Sequence, residues 1–160
     1  MSLPSVGFFS KSTTYWGCIP ASQTGLPAAT YTDTVTMTLT GAGTSTNTFP
    51  VSITTNATCN ISAAPSAIVF NYVAYGAAVT PSSTFGTTCT SALPYTMALS
   101  VTSGTLFNLS YTLALSAASS TGTGAQQNFS INGAMAAGQA GTCASGSCTS
   151  TQAVTLTITY

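Results

Sequence analysis

The sequence predicts an all-β protein, an antiparallel sandwich of about seven short strands. β-branched and aromatic residues alternate with Thr and Ser at period two along most of the chain, which is the spacing of a half-buried strand. Gly, Pro and Asn separate these runs at fairly regular intervals, as turns between strands require. No stretch of ten residues has convincing helical periodicity, although 133–140 could form one loose turn.

The strands follow from the runs in chain order. They are predicted at 32–40, 49–56, 66–73, 94–100, 107–116, 126–131 and 151–160. The run 66–73 is almost continuously apolar, so we expect it in a sheet interior, whereas 107–116 places its aromatic and leucine side chains on one face. The Asn132-Gly133 pair after 126–131 indicates a tight hairpin.

Charge excludes most enzyme classes. Only Lys11 and Asp33 are charged at neutral pH, and the chain has no His, Arg or Glu. General acid–base catalysis, hydrolytic triads and most metal sites therefore lack their side chains, and one Lys cannot neutralise a nucleic-acid backbone. Apolar residues still make up 44% of the chain, enough for a folded core. We expect no enzyme activity, no cofactor and no nucleic-acid partner, but a structural or binding role.

The five cysteines favour disulfides over a metal site. They are Cys18, Cys59, Cys89, Cys143 and Cys148. Without histidine or closely spaced cysteine doublets a zinc site is disfavoured, and disulfides imply an oxidising compartment. The odd count leaves one cysteine over. No apolar run reaches the roughly 18–20 residues of a membrane span, and the N-terminus lacks the features of a signal peptide, so we expect a mature or trimmed exported form.

A repeat suggests how the chain is divided. Residues 32–40 align with 151–159, so that Val35, Met37 and Leu39 match Val154, Leu156 and Ile158. Threonine-rich amphipathic strands can resemble one another by chance. The alternative is that 32–40 closes an upstream domain as 151–160 closes the main one. We then expect a remnant of that domain at 1–40, a flexible linker at 41–48 and the main domain at 49–160.

Several ordered segments carry a resemblance to a known family. They are FPVSITTNATCNIS at 49–62, IVFNY at 68–72, FGTTCTSALPYTMALS at 85–100 and VTLTITY at the chain end. Over residues 49–160 the sequence resembles the spore coat protein U domain, a family that includes the pilins of archaic, Csu-type chaperone–usher pili. It is most similar to the C-terminal, pilin-like domain of two-domain subunits.

The resemblance implies an incomplete immunoglobulin-like sandwich that is completed by a donor strand. Its apolar groove would run along the C-terminal strand, with Val154, Leu156, Ile158 and Tyr160 at the edge. Val35, Met37 and Leu39 have the spacing of a donor strand, acting in cis, in a strand-swapped homodimer or in another subunit. A periplasmic chaperone would grip the C-terminal strand, including Tyr160, which could instead simply cap the core.

The resemblance also bears on the cysteines and on function. It implies a Cys59–Cys89 bridge, while Cys143 and Cys148 could pin a hairpin loop, and Cys18 has either lost its partner or pairs between molecules. The implied role is a structural or adhesive pilus subunit for attachment and biofilm formation, with pilus subunits, a periplasmic chaperone and an outer-membrane usher as partners. It would pass through the periplasm to the cell surface, at the tip or along the shaft.

Two other functions remain open at this point. A carbohydrate-binding, lectin-like tip module would use the aromatic residues Phe70, Tyr72 and Tyr75 as its platform, although alternating aromatics in strands are usually core. A spore-coat-type or ice-binding surface protein would use flat threonine-rich strands, of which the sequence has two.

Overall fold

The structure, a computed structural model, describes residues 12, 14–21, 23, 25–41, 43–143 and 146–160. Lys11 and the rest of 1–11 lie outside the described residues. Ten strands form within them, and all of their pairings are antiparallel. The strands are β1 (Thr30–Thr40), β2 (Thr44–Thr54), β3 (Cys59–Ala63), β4 (Ser82–Cys89), β5 (Pro94–Leu99), β6 (Ser103–Leu106), β7 (Leu109–Leu115), β8 (Ser119–Thr121), β9 (Gln126–Met135) and β10 (Leu156–Thr159). The predicted all-β class is confirmed. No helix long and apolar enough to cross a membrane occurs in these ranges.

Two sheets form the sandwich. One has the order β3-β4-β9-β7-β6 and the other the order β10-β5-β8. Both contribute to one core, in which the buried apolar side chains alternate along the strands, as period-two patterning requires. The core residues are Phe85, Cys89, Tyr95, Met97, Tyr111, Leu113, Ile131 and Met135.

A polar cluster joins the two sheets near Thr87. Its side chain is completely buried, and its hydroxyl lies 3.0 Å from the Tyr95 hydroxyl, which in turn donates to Gln127 at 3.0 Å. Because each buried oxygen has a partner, the cluster is tolerated in an otherwise apolar interior. It fixes β5 against β4 and β9 on the side of the core away from Met135.

Strands β1 and β2 form a separate hairpin with an unbroken register from Thr30↔Thr54 to Thr40↔Thr44. No strand of the sandwich packs along either of them. Its base is held by hydrogen bonds between Ala29 and Thr55 and by a bridge between Pro27 and Ser91. Residues 44–48, which the linker interpretation included, are the first half of β2, because Thr and Ser sustain the same alternation there.

One strand prediction and one turn prediction are wrong. Residues 66–73 form no strand: the segment is extended and alternates half-buried with exposed side chains, but it has no ladder partner. The Asn132-Gly133 pair is not a turn, because β9 continues through it as a central strand. Glycine is required at 133 for a different reason, since a Cβ there would lie 2.6 Å from the Phe70 ring.

The strand predicted at 107–116 begins later than its pattern indicates. Phe107 and Asn108 have φ values of 49° and 57° and form the two-residue turn between β6 and β7. Positive φ at both positions is the geometry of a type I′ turn, which Asn favours and Phe does not. The Phe107 side chain is therefore at the hairpin tip and not on the strand face.

We predict that Gly122→Ala will destabilise the fold strongly. A Cβ at 122 would collide with the carbonyl oxygen of Thr90 and lie 2.9 Å from that of Cys89. Backbone atoms cannot turn aside as a flexible side chain does, so we expect a loss of at least about 2 kcal/mol in urea denaturation. The matched control is Gly43→Ala, whose Cβ would meet nothing within 4 Å. Equal stability of the two variants would contradict the prediction.

Candidate functional site

An apolar cleft of about 660 Å³ opens between the two sheets on the side of β10. Its floor consists of side chains from β7 and β9: Tyr111, Leu113, Ile131 and Met135. One wall is formed by Leu99, Val154 and Leu156, and the other by the extended segment 65–72. The Phe107 turn and residues 148–152 also line the cleft. The floor is thus the hydrophobic core itself, left accessible from one side.

The first wall is a strand with a free edge. β10 pairs with β5 from Leu156↔Leu99 to Thr159↔Thr96, and within the described ranges no strand pairs with its other side. Nothing on β10 blocks that edge, since it contains no charge, proline or bulge. Such an edge presents unpaired backbone N–H and C=O groups that can bind another extended chain.

The second wall is also extended backbone without a partner. Ile68, Phe70 and Tyr72 are half-buried against the core, while Val69 is 60% exposed. None of the backbone groups of 64–72 makes a hydrogen bond to another part of the described chain. The segment is fixed by side chains, through the Phe70–Tyr111 ring contact at 5.6 Å and the Ser66–Ser83 hydroxyl pair at 3.1 Å. The cleft is therefore bordered by unpaired backbone on both sides.

One polar atom in the cleft floor lacks a partner. Tyr111 is only 5% exposed, and its hydroxyl is the single buried side-chain oxygen or nitrogen, among the described residues, without a hydrogen bond. A buried hydroxyl without a partner is costly and calls for an explanation. The ring lines the cleft, but the hydroxyl lies against Gly104 of β6, where an added Cβ would be 2.5 Å away from it.

The residues predicted for the groove edge separate into two sets. Val154 and Leu156 line the cleft, and Ile158 is on the same face, half-buried against the core next to Met97. Tyr160 lies beyond the strand end, 59% exposed, beside Pro94 and Thr121 in a shallow depression. Val35, Met37 and Leu39 are not in the cleft, because β1 pairs with β2 instead of β10.

The aromatic trio proposed for carbohydrate binding does not share a surface. Phe70 and Tyr72 face the core, and the Tyr72 hydroxyl accepts a hydrogen bond from the backbone N–H of Gln139 at 2.7 Å. Tyr75 points to solvent, 76% exposed, with a φ of 61°. The sequence pattern alone does not distinguish the core-facing Phe70 and Tyr72 from the exposed Tyr75.

The cysteines form two disulfides. Cys59 is bonded to Cys89 and Cys143 to Cys148, and Cys18 is an exposed free thiol. The first bridge joins facing residues of β3 and β4, and the second lies in the loop before β10, where Cys148 contributes to the cleft. Two disulfides are typical of a protein that matures in an oxidising compartment outside the cytoplasm.

Comparisons with known proteins add no relative. No protein-family model matches the chain, and neither a curated protein nor a solved structure is significantly similar to it. The resemblance to the spore coat protein U domain therefore remains a prediction from the quoted residues.

Proposed function

We propose that this protein is a structural or adhesive subunit of a chaperone–usher pilus and that its cleft receives a strand donated by another subunit. The observation that carries the proposal is the cleft itself, an accessible core bordered by the free edge of β10 and by the unpaired segment 64–72. A strand inserted there would hydrogen-bond to backbone on both sides and place alternate side chains over Tyr111, Leu113 and Ile131. The residue-level resemblance to spore coat U pilins supports the same role.

Composition supports assembly over catalysis. The chain has one acidic and one basic residue and no histidine, which is too few side chains for general acid–base catalysis. Its net charge of zero also removes the repulsion that keeps proteins apart in solution. Two disulfides would protect a subunit that works outside the cell. Before assembly the exposed cleft needs protection, which is the role we propose for a periplasmic chaperone, followed by transfer at an outer-membrane usher.

The direct test is strand binding by the purified protein. A synthetic peptide with the sequence of residues 31–40 supplies three alternating apolar side chains, and isothermal titration calorimetry measures its affinity. We expect Leu156→Thr to weaken binding at least tenfold, because the side chain lines the cleft and its loss removes about 1.5–3 kcal/mol of apolar burial. Thr157→Ser, on the outer face of the same strand, is the matched control.

Two further measurements fix the binding site. Hydrogen exchange should show added protection at β10 and at 65–72, and a peptide with Thr in place of its three apolar residues should not bind. Exchange protection confined to β1 and β2, or equal affinity of Leu156→Thr and Thr157→Ser, would contradict the proposal.

A further inference from the structure

The β1–β2 hairpin has two chemically different faces. Because facing residues of an antiparallel pair share a face, the register places Thr or Ser at eleven of twelve positions on one side, with Pro50 as the exception. The other side, called here the apolar hairpin face, consists of Tyr31, Asp33, Val35, Met37, Leu39, Ser45, Asn47, Phe49, Val51 and Ile53. None of these residues lines the cleft, but Val35, Met37 and Leu39 are also the apolar residues of the candidate donor strand.

The described residues leave the apolar hairpin face largely uncovered. Tyr31, Val35, Met37, Leu39, Val51 and Ile53 are each 37–74% exposed, which leaves on the order of 500 Å² of apolar surface open on one side. Tyr15 contacts it, with its ring centroid 5.0 Å from that of Phe49, and Tyr15 and Trp16 are themselves mostly exposed. A two-stranded hairpin alone in water is marginally stable, so its apolar face requires a partner.

We propose that the apolar hairpin face packs against the same face of a second copy of this chain, forming a two-fold symmetric dimer. Two such faces would bury about 1,000 Å² together, which reaches the lower limit for a specific interface. A second copy also supplies a sheet face of the same length, and sheets pack face to face through such apolar surfaces.

The single charge on this face sets the relative orientation. Asp33 lies two positions toward the base from the central Val35–Phe49 pair, and Met37–Asn47 lies two positions toward the tip. An antiparallel arrangement places Asp33 of one copy over the Met37–Asn47 pair of the other, where the Asn47 amide can donate to the carboxylate. It also keeps the two carboxylates apart, which avoids burying like charges together.

The first experiment measures the mass of the full chain by light scattering and sedimentation over a range of concentrations. We expect a dimer, and we expect Met37→Thr combined with Val51→Thr to raise its dissociation constant at least tenfold, since threonine keeps the β-propensity and removes apolar contact. Thr36→Ser combined with Thr46→Ser, on the opposite face, is the control and should change it less than about twofold. A wild-type monomer at all concentrations would overturn the proposal.

A second experiment tests the geometry without disturbing the face. With Cys18→Ser as background, Val35→Cys lies at the centre of the interface and should be linked to its copy by a short bis-maleimide, whereas Thr36→Cys on the threonine face should not. Equal linking of the two variants would overturn the arrangement.

A third variant separates face packing from strand exchange. Thr36 and Thr48 face each other across the hairpin, so cysteines at both positions in the same background can form a disulfide that locks β1 to β2. The locked protein should dimerise as well as wild type. Loss of the dimer on locking would show that β1 leaves the hairpin to associate, which contradicts face packing.

Discussion

Replacing Cys59 and Cys89 together with alanine should lower the free energy of unfolding by about 3–4 kcal/mol, because the bridge closes a long loop in the unfolded chain. The two cysteines are 30 residues apart, and Cys89 is 1% exposed at the end of a central strand. The bridge constrains the unfolded chain and also fixes the edge strand β3, which is only five residues long. Urea denaturation under non-reducing conditions measures the loss.

The second disulfide provides the control. Cys143 and Cys148 are only five residues apart, so the same relation gives about 2 kcal/mol for their removal. Their loop precedes β10, so loss of this disulfide should affect the part of the cleft that residues 148–152 line more than the sandwich core. A double alanine variant at Cys59 and Cys89 that loses no more than the variant at Cys143 and Cys148 would contradict the prediction.

Sequence patterning located the strands with clear alternation. β1, β5, most of β7 and β10 lie within or close to the predicted runs, because Val, Met, Leu and Ile alternate there with Thr. The most buried strand, β4, shows why patterning fails elsewhere. Its sequence SSTFGTTC has two apolar side chains. Burial of Thr87 depends on its hydroxyl pairing with Tyr95 of β5, which in turn donates to Gln127 of β9, and no local pattern contains these contacts.

Two of the wrong predictions have a common cause. Asn132-Gly133 and 66–73 were interpreted from local signals. In the structure the two segments contact each other, because the side chains of Phe70 and Ile68 pack directly on Gly133. The glycine therefore provides room for a neighbouring segment and not for a turn. The run 66–73 keeps the alternation of a strand, but its ladder partner is missing from the described chain.

The candidate site could be predicted only in part. Val154 and Leu156 were expected on the edge strand; both line the cleft, but β10 begins at Leu156, so Val154 lies before the strand. The opposite wall and the unpartnered Tyr111 hydroxyl were not expected, because they depend on how distant segments meet. The pairing of β1 with β2 could not be predicted either. The repeat between 32–40 and 151–159 shows that two strands have similar sequences, but it does not show which strand each of them pairs with.

Supplying the cleft with a strand of its own should stabilise the protein by a large margin. A short Gly-Ser linker and a second copy of residues 31–40, added after Tyr160, would let the added strand turn back along the free edge of β10. The alternating apolar residues of that copy would then enter the cleft over Leu113 and Ile131, while its backbone would pair with β10.

The sharpest comparison is between two fusions of equal length. In the second fusion the added copies of Val35, Met37 and Leu39 are threonine, so linker and chain entropy are the same in both. We expect the free energy of unfolding of the apolar fusion to exceed that of the threonine fusion by about 3–6 kcal/mol, which is roughly 1–2 kcal/mol for each buried side chain. Urea denaturation measures the difference.

The Tyr111 hydroxyl tests whether the added strand reaches the floor of the cleft. In the unfused protein Tyr111→Phe should be neutral or slightly stabilising, because it removes a buried group without a partner. In the apolar fusion the same change should cost about 1 kcal/mol if the added strand bonds to that hydroxyl. If both fusions are as stable as the unfused chain, the cleft does not receive a strand, because apolar side chains held beside a vacant core edge would otherwise enter it.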